Sequence, residues 1–168
     1  TLVVDEAGQL ALANVCAVSM SARNLVLVGD PQQLAQPSRG THPTGAGASA
    51  LEHALAGHLT VPPERGLFLD QTWRMHPAIT EVISEQVYEG RLESEARCEG
   101  QTVLPGGVLH GSGCRWVPVE HEGNRTSSIE EARAVAALHA DLMGGSWVDF
   151  DGVESEIGPE NVLVVAPY

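Results

Sequence analysis

Short blocks of branched apolar residues alternate along this chain with stretches whose apolar positions recur at helical spacing. Thr1 to Val4 reads as a strand buried on both faces, and Asp5 and Glu6 arrive side by side where it should end. A helix rich in small residues is predicted over Leu10 to Ser21. A second apolar run, Leu25 to Val28, is closed by Gly29, Asp30 and Pro31. "QPSRGTHPTGAG" reads as a surface loop leading into a short helix, Ser49 to Ala56, stopped by Gly57. Apolar runs of this length separated by a helix suggest a parallel sheet built from βαβ units.

The second part opens with a predicted strand, "GLFLD", and a turn, "QTWRMH". Pro77 suits the first turn of a helix carrying Ile79, Val82, Ile83 and Val87 on one face and stopping near Gly90. "CRWVPVEH" alternates like a strand. Ser127 or Ser128, with Glu130 or Glu131 three residues on, forms a capping box. The helix behind it would bury Ile129, Ala132, Val135, Ala136 and Leu142 and end at Gly144 and Gly145. "WVDFDGVESEI" reads as a hairpin turning at Asp151-Gly152, and "NVLVVAPY" as a third buried strand. "LTVPPERG", with two prolines and a glycine beside charged residues, is the predicted joint, dividing the chain into 1–60 and 61–168. The expected fold class is α/β, two partial lobes with parallel sheets.

Composition narrows the picture. With 168 residues, 43% of them apolar, the chain can build an ordinary globular core. No apolar run approaches a membrane span and no signal peptide is visible, so no membrane partner is expected. Three widely spaced cysteines, Cys16, Cys98 and Cys114, argue for a reducing, cytoplasmic setting rather than a disulfide framework. Nine basic against 22 acidic residues give a net charge of −13, the wrong sign for holding phosphate backbones by bulk electrostatics. Nucleic-acid binding would have to rest on local motifs or on polypeptide outside these residues.

Candidate chemistry gathers at strand ends, where ligands of open parallel sheets bind. An acid directly after a buried strand is how P-loop enzymes hold Mg²⁺, and a second acid can activate water. Asp5 and Glu6 fit that arrangement, or serve as plain loop solvation. At the neighbouring strand end Gln33 could reach a γ-phosphate, or belong to a polar turn. Arg74 could neutralise transition-state charge, worth roughly 10³–10⁵ in rate, and Trp73 could stack on a base. Alternatively, the pair is a cation packed on an aromatic at a surface.

"DEAGQ", "VGDPQQL" and "TWRMHP" together resemble motifs II, III and IV of superfamily 1 helicases, in the DEAxQ-box branch associated with 5′-to-3′ movement. "NVLVVAPY" resembles the strand that precedes that family's nucleic-acid turn, and "EGNRTSSIEEA" the segment and helix before it. The resemblance spans essentially the whole chain. It implies parts of two RecA-like P-loop NTPase lobes, with ATP and Mg²⁺ as cofactors. It also implies Asp5 as the Mg²⁺-holding acid, Glu6 as the water-activating acid, Gln33 as the γ-phosphate sensor, Arg74 as the first arginine finger and Trp73 as the aromatic packed on adenine. Pro167 and Tyr168 fall at a contact with single-stranded nucleic acid, DNA favoured.

Thr72 and Trp73 stand where the family commonly has Gln and Tyr, "QLAQP" replaces "QLPP", and Ala166 stands where Thr is usual. Several segments look most like a bacterial subgroup fused to a RecB-like nuclease. No G-x-x-x-x-G-K-[ST] loop occurs, so the chain is expected to be an internal piece that needs an upstream Walker A loop and a downstream arginine, and to be inactive alone. The function implied is a helicase or translocase. The alternatives are a non-catalytic nucleotide-dependent binding module and a motor accessory to the nuclease. A zinc site from Cys98, His110, Cys114 and His121 lacks ligand spacing, and His76 reads as a local hydrogen-bonding residue rather than a catalyst.

Overall fold

The computed structural model describes residues 1–33, 43 and 45–166. The chain forms two compact units, one of residues 1–70 with 84–91 and the other of 71–83 with 92–168.

In the first unit, β1 (Leu2–Val4) and β2 (Leu25–Leu27) pair in parallel, Val3 opposite Val26. They are connected by α1 (Leu12–Ser19), and α2 (Ala50–Leu55) packs against α1. Val4, Ala7, Val15 and Ala50 form the core, with Leu2, Leu10, Leu12, Leu27 and Leu51 around it. The expectation of a strand buried on both faces is corrected. Val3 is 60% exposed and Val26 44%, because the helices cover one face of a sheet only two strands wide. A reciprocal capping box between Ser49 and Glu52 starts α2, and Ala56 in the left-handed region followed by Gly57 ends it. Residues 84–91 are tied in through side chains. The Thr60 hydroxyl donates to Glu89, and Arg91 donates to the Thr60 hydroxyl at 2.6 Å while lying 4.4 Å from the Phe68 ring centre.

In the second unit, β3 (Gln71–Thr72) and β4 (Glu93–Ser94) pair in parallel; α3 (Pro77–Val87) lies between them in the chain, residues 77–83 of it in this unit and 84–87 in the first. Pro77 opens α3 as expected, with the His76 imidazole accepting the Ala78 amide at 3.0 Å. Buried Thr80 accepts from the Ser94 hydroxyl at 2.6 Å, fixing that helix face to the strand pair. β5 (Thr102–Val103), β6 (Ser146–Val148) and β7 (Glu154–Glu156) form an antiparallel sheet in that order, so the expectation of parallel sheets alone is corrected. The hairpin is as read: Asp149 accepts the Asp151 and Val153 amides at 2.8 and 2.9 Å, and Gly152 sits at φ +78°. Ser128 caps α4 (Ile129–Leu142) by accepting the Glu131 amide at 3.2 Å. Glu130's own backbone amide, with Asn124 beside it, holds its carboxyl below the usual range.

Three predicted strands are not formed. "GLFLD", "CRWVPVEH" and the described part of "NVLVVAPY" run without ladder partners. Leu67 is 83% exposed, Trp116 90% and Leu163 86%. An apolar run becomes a strand only where a neighbour offers paired backbone groups, and among the described residues none does. No described helix is long and apolar enough to cross a membrane.

Candidate functional site

Register brings the first cluster together. The Val28 amide donates to the Val4 carbonyl at 2.8 Å and the Ala7 amide to the Val28 carbonyl at 2.9 Å, so the segments leaving β1 and β2 run side by side. Two glycines allow the approach. A Cβ on Gly8 would overlap the Asp30 carbonyl oxygen and lie 2.8 Å from its carbon, and one on Gly29 would lie 2.8 Å from the Ala7 nitrogen. Between them Glu6 takes φ +53°, a conformation uncommon outside glycine and worth inspection for function.

Side chains then close the cluster. Asp5 accepts the Glu6 amide at 2.9 Å. The Gln9 amide donates to the Glu6 carboxylate at 3.2 Å and to the Gln33 side-chain carbonyl at 3.1 Å. Expected site residues from two strand ends, 27 positions apart in the sequence by their numbers, are thereby joined through a third to which the motifs assign no role. Gln9 stands three residues after Glu6 in "DEAGQ", so the spacing was visible but its partner across the sheet was not.

Asp30 shapes the turn that carries Gln33. One carboxylate oxygen accepts the Gln32 amide at 2.9 Å, the other the Tyr88 hydroxyl at 2.5 Å. Burial first, then the Asp30 hydrogen bond and charge, push the Tyr88 hydroxyl up to about 12. Nothing local in the sequence pairs Tyr88 with Asp30.

Asp5, Glu6 and Gln33 are all exposed. Asp5 and Glu6 each keep one carboxylate oxygen without a hydrogen bond among the described residues. No group of three metal-ligating side chains occurs among those residues. Two carboxylates with spare oxygens nevertheless fit Mg²⁺, which commonly takes one or two protein carboxylates and completes its shell with water and phosphate oxygens.

The second unit carries Trp73 and Arg74, directly after β3. Both are exposed, and the Arg74 guanidinium has no hydrogen bond or ion pair among the described residues. Its backbone is fixed: the amide donates to the Thr72 hydroxyl at 3.3 Å, and Gln101, with its amide nitrogen turned inward, donates to the Arg74 and Cys98 carbonyls at 3.2 Å. Arg74 lines a hollow of about 440 Å³ with Met75, His76, Gln101, Trp147 and Asn161. The cation over Trp73 is Arg97, not its neighbour Arg74. His76 is engaged as a helix cap. Pro167 and Tyr168 lie outside the described residues.

Proteins of known name resemble the chain at a distance. It is 24% identical over 99% of its length to DNA-binding protein SMUBP-2 of Mesocricetus auratus. It is 33% identical over 60% of its length to "Probable helicase MAGATAMA 3" of Arabidopsis thaliana, and 31% identical over 55% to Helicase SEN1 of Saccharomyces cerevisiae. Two of these three distant resemblances are to proteins named as helicases. It spans 17% of the length of SMUBP-2, 12% of MAGATAMA 3 and 4% of SEN1. No protein-family model and no solved structure matches it.

Proposed function

We propose that this chain is part of an ATP-driven helicase or translocase of superfamily 1, comprising the end of one RecA-like lobe (1–60) and the start of a second (61–168). The observation that carries this reading is the Gln9 amide shared between Glu6 and Gln33. It links an acid suited to water activation with a side chain suited to sensing a γ-phosphate, at adjacent carboxyl ends of parallel strands. The similarity to proteins named helicases supports the same reading.

In this account Asp5 would hold Mg²⁺, which would supply neutralisation of phosphate charge when bound. Glu6 takes a proton from the attacking water. Its left-handed backbone and the Gln9 bond fix where that carboxylate points, as positioning dominates phosphoryl transfer. Loss of the γ-phosphate changes what Gln33 can contact, and Gln9 passes that change to Glu6. Trp73 packs on the adenine, and Arg74, with no partner of its own among the described residues, is available to the developing charge. The phosphate-cradling lysine comes from polypeptide outside these residues, because the chain contains no Walker A loop. Single-stranded nucleic acid, DNA favoured, is the track, with Pro167 and Tyr168 at its edge.

Arg74→Ala in the full-length protein tests the assignment. Turnover should fall by about 10³-fold or more while nucleotide affinity changes little. Equal loss of turnover and affinity would refute the finger role.

A further inference from the structure

Beside Arg74, three segments of the second unit converge on an arginine that the chemistry above does not use. The β3–β4 ladder continues past Ser94, with the Glu95 amide donating to the Thr72 carbonyl at 2.9 Å. Trp73 therefore emerges beside the single-turn segment Ala96–Gly100. Glu95 caps that segment, accepting the Arg97 amide at 2.8 Å and its Nε at 3.4 Å. The Arg97 guanidinium lies 5.5 Å from the Trp73 ring centre and 5.6 Å from that of Phe150. Asp151 stands 3.5 Å from the Arg97 Nη1. Phe150 and Asp151 belong to the hairpin turn that Asp149 fixes.

Trp73 is 62% exposed and Phe150 43%, so ring surface remains open beside the cation. An unrestrained exposed side chain loses rotamer freedom when a ligand orders it, and that loss weakens binding. A cation over the ring supplies part of that restraint before binding. Glu95 and Asp151 partner the Arg97 charge, which disfavours a phosphate here. What is left on offer is a flat, uncharged aromatic face, and its chemistry suits a nucleobase.

We propose that Arg97 is a positioning residue: it holds the Trp73 ring with one face open to the base of a bound nucleoside triphosphate, while Phe150 braces the guanidinium. This rests on the reading of Trp73 as the adenine-packing residue. The test is calorimetric titration of the full-length protein with ATP and, separately, with inorganic tripolyphosphate, which has no base. Trp73→Ala and Arg97→Ala should each weaken ATP binding about 3- to 10-fold and leave tripolyphosphate binding unchanged. The double variant should be no weaker than Trp73→Ala alone, and Arg97→Lys, which keeps the cation, should recover most of the loss. Weakening by Trp73→Ala but not by Arg97→Ala would overturn the positioning role and leave the stacking reading standing. No effect of Trp73→Ala would overturn both. Parallel loss of ATP and tripolyphosphate binding in Arg97→Ala would mark structural damage and also overturn the proposal. Should that variant fail to fold, Arg97→Met keeps the aliphatic stem, and unchanged ATP affinity there would be equally fatal.

Discussion

At the ends of β1 and β2 the candidate residues are held by the main chain. Gly8 and Gly29 let two backbone segments touch, Glu6 sits at positive φ, and Gln9 closes a bond between side chains already brought near. After β3 the candidates are held by side chains. Trp73 stands exposed with a cation from a neighbouring segment over its ring, and the Arg74 guanidinium is unpaired among the described residues. A site fixed by backbone contact tolerates little change of shape, whereas one fixed by stacking tolerates change of shape but depends on charge. Each arrangement suits its proposed role. Water activation needs a set geometry, and an arginine that answers a developing charge needs freedom to reach it.

That contrast breaks most sharply at Gly8. Gly8→Ala places a methyl into the Asp30 carbonyl, a backbone overlap that only a shift of one of the two segments can relieve. We expect about 3 kcal/mol of destabilisation or more in chemical denaturation. A loss below about 0.5 kcal/mol would mean that the contact is not a constraint.

A smaller effect is expected at Tyr88. Tyr88→Phe removes the hydrogen bond to Asp30, for about 1 kcal/mol at a half-buried position. The sign of its pH dependence follows from the raised hydroxyl. Between the ordinary value of 10 and the folded value of about 12, the folded state retains a proton that the unfolded state has released. The contribution of Tyr88 is therefore whole below pH 10 and is lost as pH rises toward 12. Unfolding midpoints of the two proteins should converge across that window. Parallel curves would show that the Asp30 bond contributes no linkage.

Much of the helical structure was legible because its signals are local. Pro77 opens α3, Ser128 caps α4, and Gly57 and Gly90 at positive φ follow the ends of α2 and α3. Strands were read less well because pairing is not local. "GLFLD" has the apolar content of a strand and no ladder partner among the described residues, while β3 and β4 use Gln71, Thr72, Glu93 and Ser94, which carry no strand pattern at all. The acids after β1 stood out through the abrupt change from branched apolar residues to charge. The Gln9 bridge and the Tyr88–Asp30 bond did not, since each joins positions that only folding brings together. Arg97 escaped for the same reason: its distance to Trp73 is set by the β3–β4 register and its bracing by a hairpin some fifty residues further on, counted from their numbers.

The most direct test of the account is ATP hydrolysis by the full-length protein, with and without single-stranded DNA, beside a Glu6→Gln variant that keeps the Gln9 contact sterically possible. Turnover should rise with DNA and fall by about 10²-fold or more in the variant, with nucleotide binding preserved. Folded protein that binds nucleotide normally yet shows no turnover, or a variant as active as the original, would contradict it.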